Sequence, residues 1–249
     1  MEAVINLSGN TVLVTGGATG IGLAVARHFY GNGSTVILCG RRKDALMQAQ
    51  KQSPKMIIYQ CDVSKAPERV ALLDFIRKDF PAMNILINNA GIQRRIHIAE
   101  PDSWSDTQSE IATNLEAPIH LAQLFLPHLM QRENPAIINV TSGLSFSPLA
   151  MVPVYCATKA ALHSFTLSLR HQLAKTAVKV VELVPPAVNT DLGGPGLHTF
   201  GVDVNEFADS IMKRIAAGEL EVGFGISEVT RAASRPELEA IFKRMNEKP

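Results

Sequence analysis

Thr11 to Phe29 read TVLVTGGATGIGLAVARHF, and the apolar period changes halfway along. TVLV is a continuous apolar run, as in a strand covered on both faces, whereas IGLAVARHF spaces its apolar residues as a helix does. Between them Gly16, Gly20 and Gly22 mark a tight turn. A strand that passes into a helix through glycines leaves the unbonded N–H groups of the helix start facing outward, where an anion such as a pyrophosphate fits. The same glycines could instead serve only the close packing of helix on strand. The loop does not end in Gly-Lys-Ser/Thr, which disfavours the P-loop of nucleoside triphosphatases.

Outward from this turn the alternation repeats. STVILCG, KMIIYQCDV, NILINNAG, PAIINVTS and VKVVELVPP read as strands. RRKDALMQAQ, PERVALLDFIRKDF, a zone from about Trp104 to Gln131 and another from about Val154 to Ala174 read as helices. Strands separated by helices pair in parallel, because a parallel connection needs a crossover of about a dozen residues or more. The expected fold is therefore α/β: a doubly wound Rossmann fold with a seven-stranded, mostly parallel sheet and helices on both faces. Residues 185–203, rich in Gly and Pro, are predicted to be a loop over one end of the sheet. DVNEFADSIMKRIAAG reads as a helix closed by Gly218, ELEVGFG as an edge strand and RPELEAIFKRMNEKP as a short C-terminal helix. No linker or internal repeat divides residues 1–249, so one domain is expected.

The chain of 249 residues has a net charge of +1, with 46% hydrophobic and 19% charged residues. That balance suits a folded domain, and the near-zero charge gives no general attraction to nucleic acid or an anionic membrane. Cys39, Cys61 and Cys156 are an odd number without a C-x-x-C, so neither a disulfide framework nor a zinc site is expected. MEAVINLSGN lacks the basic and apolar regions of a secretory signal, and no run of about 18 apolar residues would span a membrane. Reduced thiols in the cytoplasm are the expectation, with no metal.

VPVYCATKAAL places Tyr155 and Lys159 four residues apart, on one face of a helix. Such pairs also occur on ordinary amphipathic helices, with stems on apolar surface and polar tips in water. The glycine spacing G-x-x-x-G-x-G, NNAG at Asn88 to Gly91, and YCATK come in this order and on these elements. Together they resemble the short-chain dehydrogenase/reductase family, from about Thr11 to Thr190. VPPAVNTDLGGPGLHTFG and SRPELEAIFKRMN resemble a bacterial subgroup whose member accompanies lipoteichoic acid D-alanylation genes, which implies lineage and no substrate.

The resemblance implies a nicotinamide dinucleotide held at the loop by Gly16, Thr19, Gly20, Ile21 and Gly22. It puts Asp62 and Val63 along the adenine edge, Asn88, Ala90 and Gly91 as the wall beside it, and Val188 and Thr190 at the carboxamide. Asn88 could equally be a structural residue bonding strand to strand. The family's Pro-Gly after the sixth strand is Pro185-Pro186 here, and proline removes a donor and fixes φ. The second strand ends Cys39-Gly40-Arg41-Arg42, with no carboxylate to bond a ribose diol. NADP is therefore expected, with Arg41 as first phosphate ligand and Arg42 second, since guanidinium clamps phosphate in bidentate fashion. In the alternative both are solvated charges at a helix start, and NAD is the cofactor.

Hydride transfer to or from a carbonyl carbon must be matched by a proton at its oxygen. A free phenol has a pKa of about 10, and a neighbouring ammonium together with the positive ring of a bound cofactor would lower it by favouring phenolate. On the family pattern Tyr155 gives or takes the proton, and Lys159 tunes it while bonding the nicotinamide ribose. Ser142 holds the substrate oxygen, and Asn114 fixes a water leading from Lys159 to solvent. Otherwise Ser142 caps a turn and Asn114 is a plain helix-interior residue. Two other functions compete: a hydrolase using Ser142, which lacks the G-x-S-x-G elbow, and a nucleotide-sensing scaffold that keeps the fold without turnover. Gln93, Leu144, Phe146, Val152, Leu192, His198 and Phe200 are expected around a mainly apolar substrate pocket. Arg94, Arg95 and His97 either favour an acidic substrate or form a solvated basic loop. The expected partner is a small-molecule carbonyl or alcohol, and the family implies a homodimer or homotetramer.

Overall fold

The computed structural model describes residues 5–99 and 104–247. Its strands are β1 (Thr11–Thr15), β2 (Thr35–Gly40), β3 (Ile57–Gln60), β4 (Ile85–Asn88), β5 (Ala136–Val140), β6 (Lys179–Val184) and β7 (Glu221–Gly223). They form one seven-stranded sheet in the order β3-β2-β1-β4-β5-β6-β7. Every pairing is parallel, the three-residue edge strand β7 included.

The pleat explains the apolar run that opened the sequence. Val12 and Val14 pack on one face with Phe29 of α1 (Gly20–Gly31) and Phe207 and Ile211 of α7 (Val204–Ala216). Leu13, one residue out of phase, packs on the other face with Leu72 of α3 (Ala66–Asp79) and Leu121 and Phe125 of α5 (Ala117–Leu129). Helices therefore cover both faces, and the central strands carry no polar face to water.

The remaining helices are α2 (Lys43–Gln52), α4 (Trp104–Ile111), α6 (Pro153–Gln172), α8 (Ile226–Ala232) and α9 (Arg235–Asn246). Local chemistry accounts for several boundaries. The Asp203 carboxylate accepts from the N–H groups of Asn205 and Glu206 at the start of α7, and Ser234 with Glu237 forms a capping box on α9. Gly218, at φ +101°, follows the end of α7 as predicted.

Two features depart from the sequence reading. The long helical zone is α4 and α5 joined by a π turn, Ala112–Glu116. Such single-turn expansions insert an extra residue and often mark functional sites. The short helix α8 lies within a stretch that carried no expectation of a helix. The strand order reverses between β1 and β4, whose carboxyl ends therefore diverge and open a crevice.

Candidate active site

Five strand ends converge on that crevice. It is a cleft of about 1090 Å³ whose walls include Gly16, Ala90, Ser142 and Pro185, which follow β1, β4, β5 and β6, and Gly40, the last residue of β2. Thr19, Gly20, Ile21, Arg41, Arg42, Val63, Gly91, Tyr155, Lys159, Val188 and Thr190 line it too. Gly22, Asp62, Asn88 and Asn114 are not among the residues that line it. Asp62 accepts from Ser64 N (3.1 Å) and Ser64 Oγ (2.7 Å), and Asn88 donates to Asn139 Oδ1 (2.9 Å), a strand-to-strand bond.

The glycine loop is shaped by close approach. Gly16 and Gly20 have φ of +62° and +56°, the left-handed region that favours glycine. A Cβ on Gly20 would lie 3.2 Å from Thr190 Cγ2, so the loop and the segment after β6 face each other across the cleft. Thr15 and Asn89 hold this point together. Thr15 Oγ1 accepts from Asn89 N (3.0 Å) and Ala90 N (3.1 Å) and donates to Ile87 O (3.1 Å). Asn89 Nδ2 donates to Thr15 O (2.9 Å) and Gly16 O (3.1 Å). The sequence reading named the residues on either side of Asn89 but not Asn89 itself; its place in NNAG was the one available signal.

At the other end α6 presents Tyr155 and Lys159 from one face, with Lys159 Nζ 5.7 Å from the Tyr155 ring centroid. Lys159 Nζ donates to Val140 O (2.7 Å), anchoring the helix to the end of β5. Asn114 Oδ1 accepts from Ile92 N (2.9 Å), and its Nδ2 donates to Ile92 O (2.8 Å) and Thr158 Oγ1 (3.2 Å). Gly91 lies between: a Cβ there would stand 3.5 Å from Asn114 Oδ1 and 3.7 Å from Lys159 Nζ. Ser142 caps a short turn, accepting from Leu144 N (3.1 Å), and its hydroxyl also meets the Tyr155 phenol. Ser142 thus caps a turn, as one of its two readings expected, while also lining the cleft.

Burial dominates the electrostatics of this pair. Burial raises the Tyr155 pKa well above the usual phenol value, and the Ser142 hydroxyl opposes this shift only partly. Burial also pushes Lys159 down to about 8. The ammonium donates to a carbonyl and does not offset the loss of hydration at the phenol. Near neutral pH the shift therefore favours the protonated phenol.

The far half of the cleft is mainly apolar. Gln93, Leu144, Val152, Leu192, His198 and Phe200 line it, as do Arg94 and Arg95. His97 does not, and Phe146 instead packs against His163, with ring centroids 4.6 Å apart. Arg94 pairs with Asp106 at 3.3 Å. Leu149, Met151, Ile226 and Met245 line it too, none of them named from sequence; Ile226 and Met245 lie on α8 and α9, which reach the cleft only through tertiary packing. Asn246, in the last turn of α9, donates to Pro148 O (3.0 Å) and accepts from Ala150 N (2.6 Å), pinning the loop that carries Leu149.

No helix among the described residues is long and apolar enough to cross a membrane. The sequence profile of short chain dehydrogenases matches residues 10–197. A Bacillus subtilis (strain 168) protein named uncharacterized oxidoreductase DltE is 42% identical, over 97% of this chain and 98% of its own. An uncharacterized oxidoreductase of Staphylococcus aureus (strain MRSA252) is 32% identical, over 74% of this chain and 80% of its own. Among solved structures, a short chain dehydrogenase from Burkholderia cenocepacia J2315 in complex with NADP superposes with a TM-score of 0.83 at 25% identity, over 96% of this chain and 99% of that one. With the glycine loop, the Tyr155–Lys159 face and Ser142 gathered on one cleft, the chain belongs to the short-chain dehydrogenase/reductase family of oxidoreductases.

Proposed function

We propose that the protein is an NADP(H)-dependent oxidoreductase that interconverts a carbonyl and a secondary alcohol, with Tyr155 as the acid/base. The observation that carries this reading is the sharing of one cleft by the glycine loop and by Ser142, Tyr155 and Lys159. The cleft suits a dinucleotide: its glycine end presents backbone at positions where a Cβ would close on Thr190 or Ala90, leaving N–H groups for a pyrophosphate. When bound, the nicotinamide supplies or accepts the hydride at the carbonyl carbon. Tyr155 gives the proton to the carbonyl oxygen in reduction and takes it back in oxidation. Ser142 orients that oxygen through its hydroxyl, and Lys159 holds positive charge beside the phenol. The apolar wall of Leu144, Leu149 and Leu192 excludes water around the reacting atoms.

Arg41 and Arg42 support NADP over NAD. Both are exposed on the cleft wall just beyond β2, and Arg42 donates to Thr19 Oγ1 (3.2 Å), which places its guanidinium against the glycine loop. No carboxylate stands at the end of β2 to repel a 2′-phosphate. Replacing both arginines with alanine is expected to raise the KM for NADPH at least about 10- to 100-fold, the loss of one charge-assisted bond worth about 1.5–3 kcal/mol, and to leave that for NADH unchanged. Wild-type turnover that is faster with NADH than with NADPH at low cofactor concentration would sink the assignment. The decisive assay is cofactor absorbance against a panel of carbonyls and alcohols.

Asn246→Ala tests the substrate half. It removes two bonds that hold the loop bearing Leu149, each worth about 0.5–1.5 kcal/mol, so the substrate KM should rise several-fold while kcat changes little. A fall in kcat with KM constant would show that the loop acts on chemistry rather than on binding. The reading places the protein in a reducing cytoplasm: Cys39 and Cys61 are buried neighbours whose thiols remain free. Assembly as a homodimer or homotetramer belongs to the same proposal, and Leu167 on α6 is an exposed apolar residue available to it.

A further inference from the structure

The packing behind the cleft contains an ionisable group that the chemistry above does not use. Glu110, on α4 one turn before Asn114, is 0% exposed. Neither of its carboxylate oxygens has a well-formed hydrogen bond among the described residues. α4 packs on α6, and across that interface the carboxylate interacts by charge with Tyr155 and Cys156. The loop after β4 contributes the Arg94 N–H and guanidinium, and α4 itself contributes Asp106, which is already paired with Arg94. No lysine, arginine or histidine of α6 is engaged with it.

A carboxylate so placed has lost its hydration and gained little in return. Burial raises the Glu110 pKa to about 7, with the Arg94 amide and charge opposing. The group therefore changes charge within the working pH range, behind a wall that holds the Tyr155 phenol. It also shares a helical face with Asn114, which grips Ile92, so one face of this segment sets both the loop 91–95 and the surroundings of Tyr155.

We propose that Glu110 is a positioning residue whose charge biases the proton on Tyr155, keeping the phenol protonated when Glu110 is ionised and relaxing that hold when it is neutral. The proposal rests on the reading of Tyr155 as the acid/base. Ionised Glu110 favours the phenol that donates to a carbonyl, and it opposes the phenolate needed to take a proton from an alcohol.

Two measurements test it, with Glu110→Gln as the neutral isostere, Glu110→Leu as an apolar second variant and Glu110→Asp as the variant that keeps the charge. The first needs no turnover. A carboxyl whose folded pKa is raised from 4.5 to about 7 lets the native state bind more protons than the unfolded chain across that window, so wild-type stability falls as pH rises through it. Glu110→Gln escapes that fall: its Tm should exceed that of wild type at pH 8, and the gap should close toward pH 4.5. The second measurement is the pH profile of alcohol oxidation. In Glu110→Gln and Glu110→Leu the acid limb should move down by about half to one pH unit, making oxidation below the limb about 3- to 10-fold faster, with NADP affinity retained. Glu110→Asp should restore the wild-type limb. A Tm gap that does not vary with pH, or a limb that superimposes on wild type, overturns the proposal alone. Absence of any carbonyl or alcohol turnover in wild type overturns the reading of Tyr155 and this proposal with it.

Discussion

Tyr155→Phe is expected to lower kcat by about 10²- to 10⁴-fold while the variant folds and binds NADPH as wild type does. The substitution removes one oxygen and keeps the ring. Tyr155 is 6% exposed and clusters with Val152, Cys156, Leu144, Leu149 and Leu192, an apolar setting that accepts phenylalanine without a cavity. What disappears is the proton donor, and general acid–base catalysis by a positioned group contributes about 10²- to 10⁴-fold. The direction of the pKa shift sharpens the expectation. Because burial raises the phenol, wild-type carbonyl reduction should be flat through neutral pH, whereas alcohol oxidation, which needs phenolate, should rise with pH. Single-turnover rates and NADPH fluorescence titrations on the same preparations separate chemistry from binding. Full turnover in the Phe variant would end the catalytic reading of Tyr155, and loss of NADPH binding would reassign the hydroxyl to the cofactor.

The fold was legible because its signals are local. Val12 to Val14 alternate between two cores yet are apolar throughout, which a single-faced strand would not be. Glycines and caps such as Gly218 and Asp203 mark helix ends by backbone chemistry alone. The π turn at Ala112–Glu116 was invisible for a matching reason: a one-residue expansion leaves the apolar period nearly intact, and the contact its Asn114 makes with Ile92 joins distant segments. The helix at Ile226–Ala232 is too short to show a period, and Ser227 ties it to Val184 O of β6.

The site was legible in its motifs and opaque in its support. The structure places Tyr155, Lys159 and Ser142 on one cleft, where motif order implied them. Asn88 bonds strand to strand, the alternative its sequence left open, whereas the engagement of Asp62 with Ser64 could not be read from residue identity. Glu110 was passed over because a glutamate on an amphipathic helix is ordinarily exposed, and only packing shows it at 0% exposure. Burial of Tyr155 and Lys159 was equally hidden from the sequence: it raises the phenol pKa and lowers that of the ammonium, so any lowering of the phenol pKa falls to Lys159 jointly with the positive ring of a bound cofactor.

Gly22→Ala should disable cofactor binding and destabilise the fold, although it adds one methyl to a helix, where alanine is ordinarily the better residue. The added Cβ would lie 2.4 Å from Asn89 Nδ2 and 2.5 Å from Gly16 O. The first atom belongs to the side chain that bonds Thr15 O and Gly16 O, and the second is backbone of the glycine loop. Neither can move without opening the junction of β1 and β4. Overpacking costs about 1–3 kcal/mol and a buried amide left without its partners about 1–3 more. A combined loss of about 3 kcal/mol lowers Tm by roughly 6–12 °C in a protein of this size. Displacement of Gly16 carries the loop with it, so NADPH affinity should fall at least about tenfold, as it would for a loss of 1.4 kcal/mol at the anion site. Gly31→Ala at the far end of the same helix is the control, because a Cβ there meets nothing within 4 Å. It should leave NADPH binding untouched and hold or raise Tm by the fraction of a kcal/mol, about 0.4–1, that alanine gains through the unfolded chain. If Gly22→Ala kept the wild-type Tm and NADPH affinity, Asn89 would not be the brace of the loop, and the glycine there would owe its place to helix packing alone.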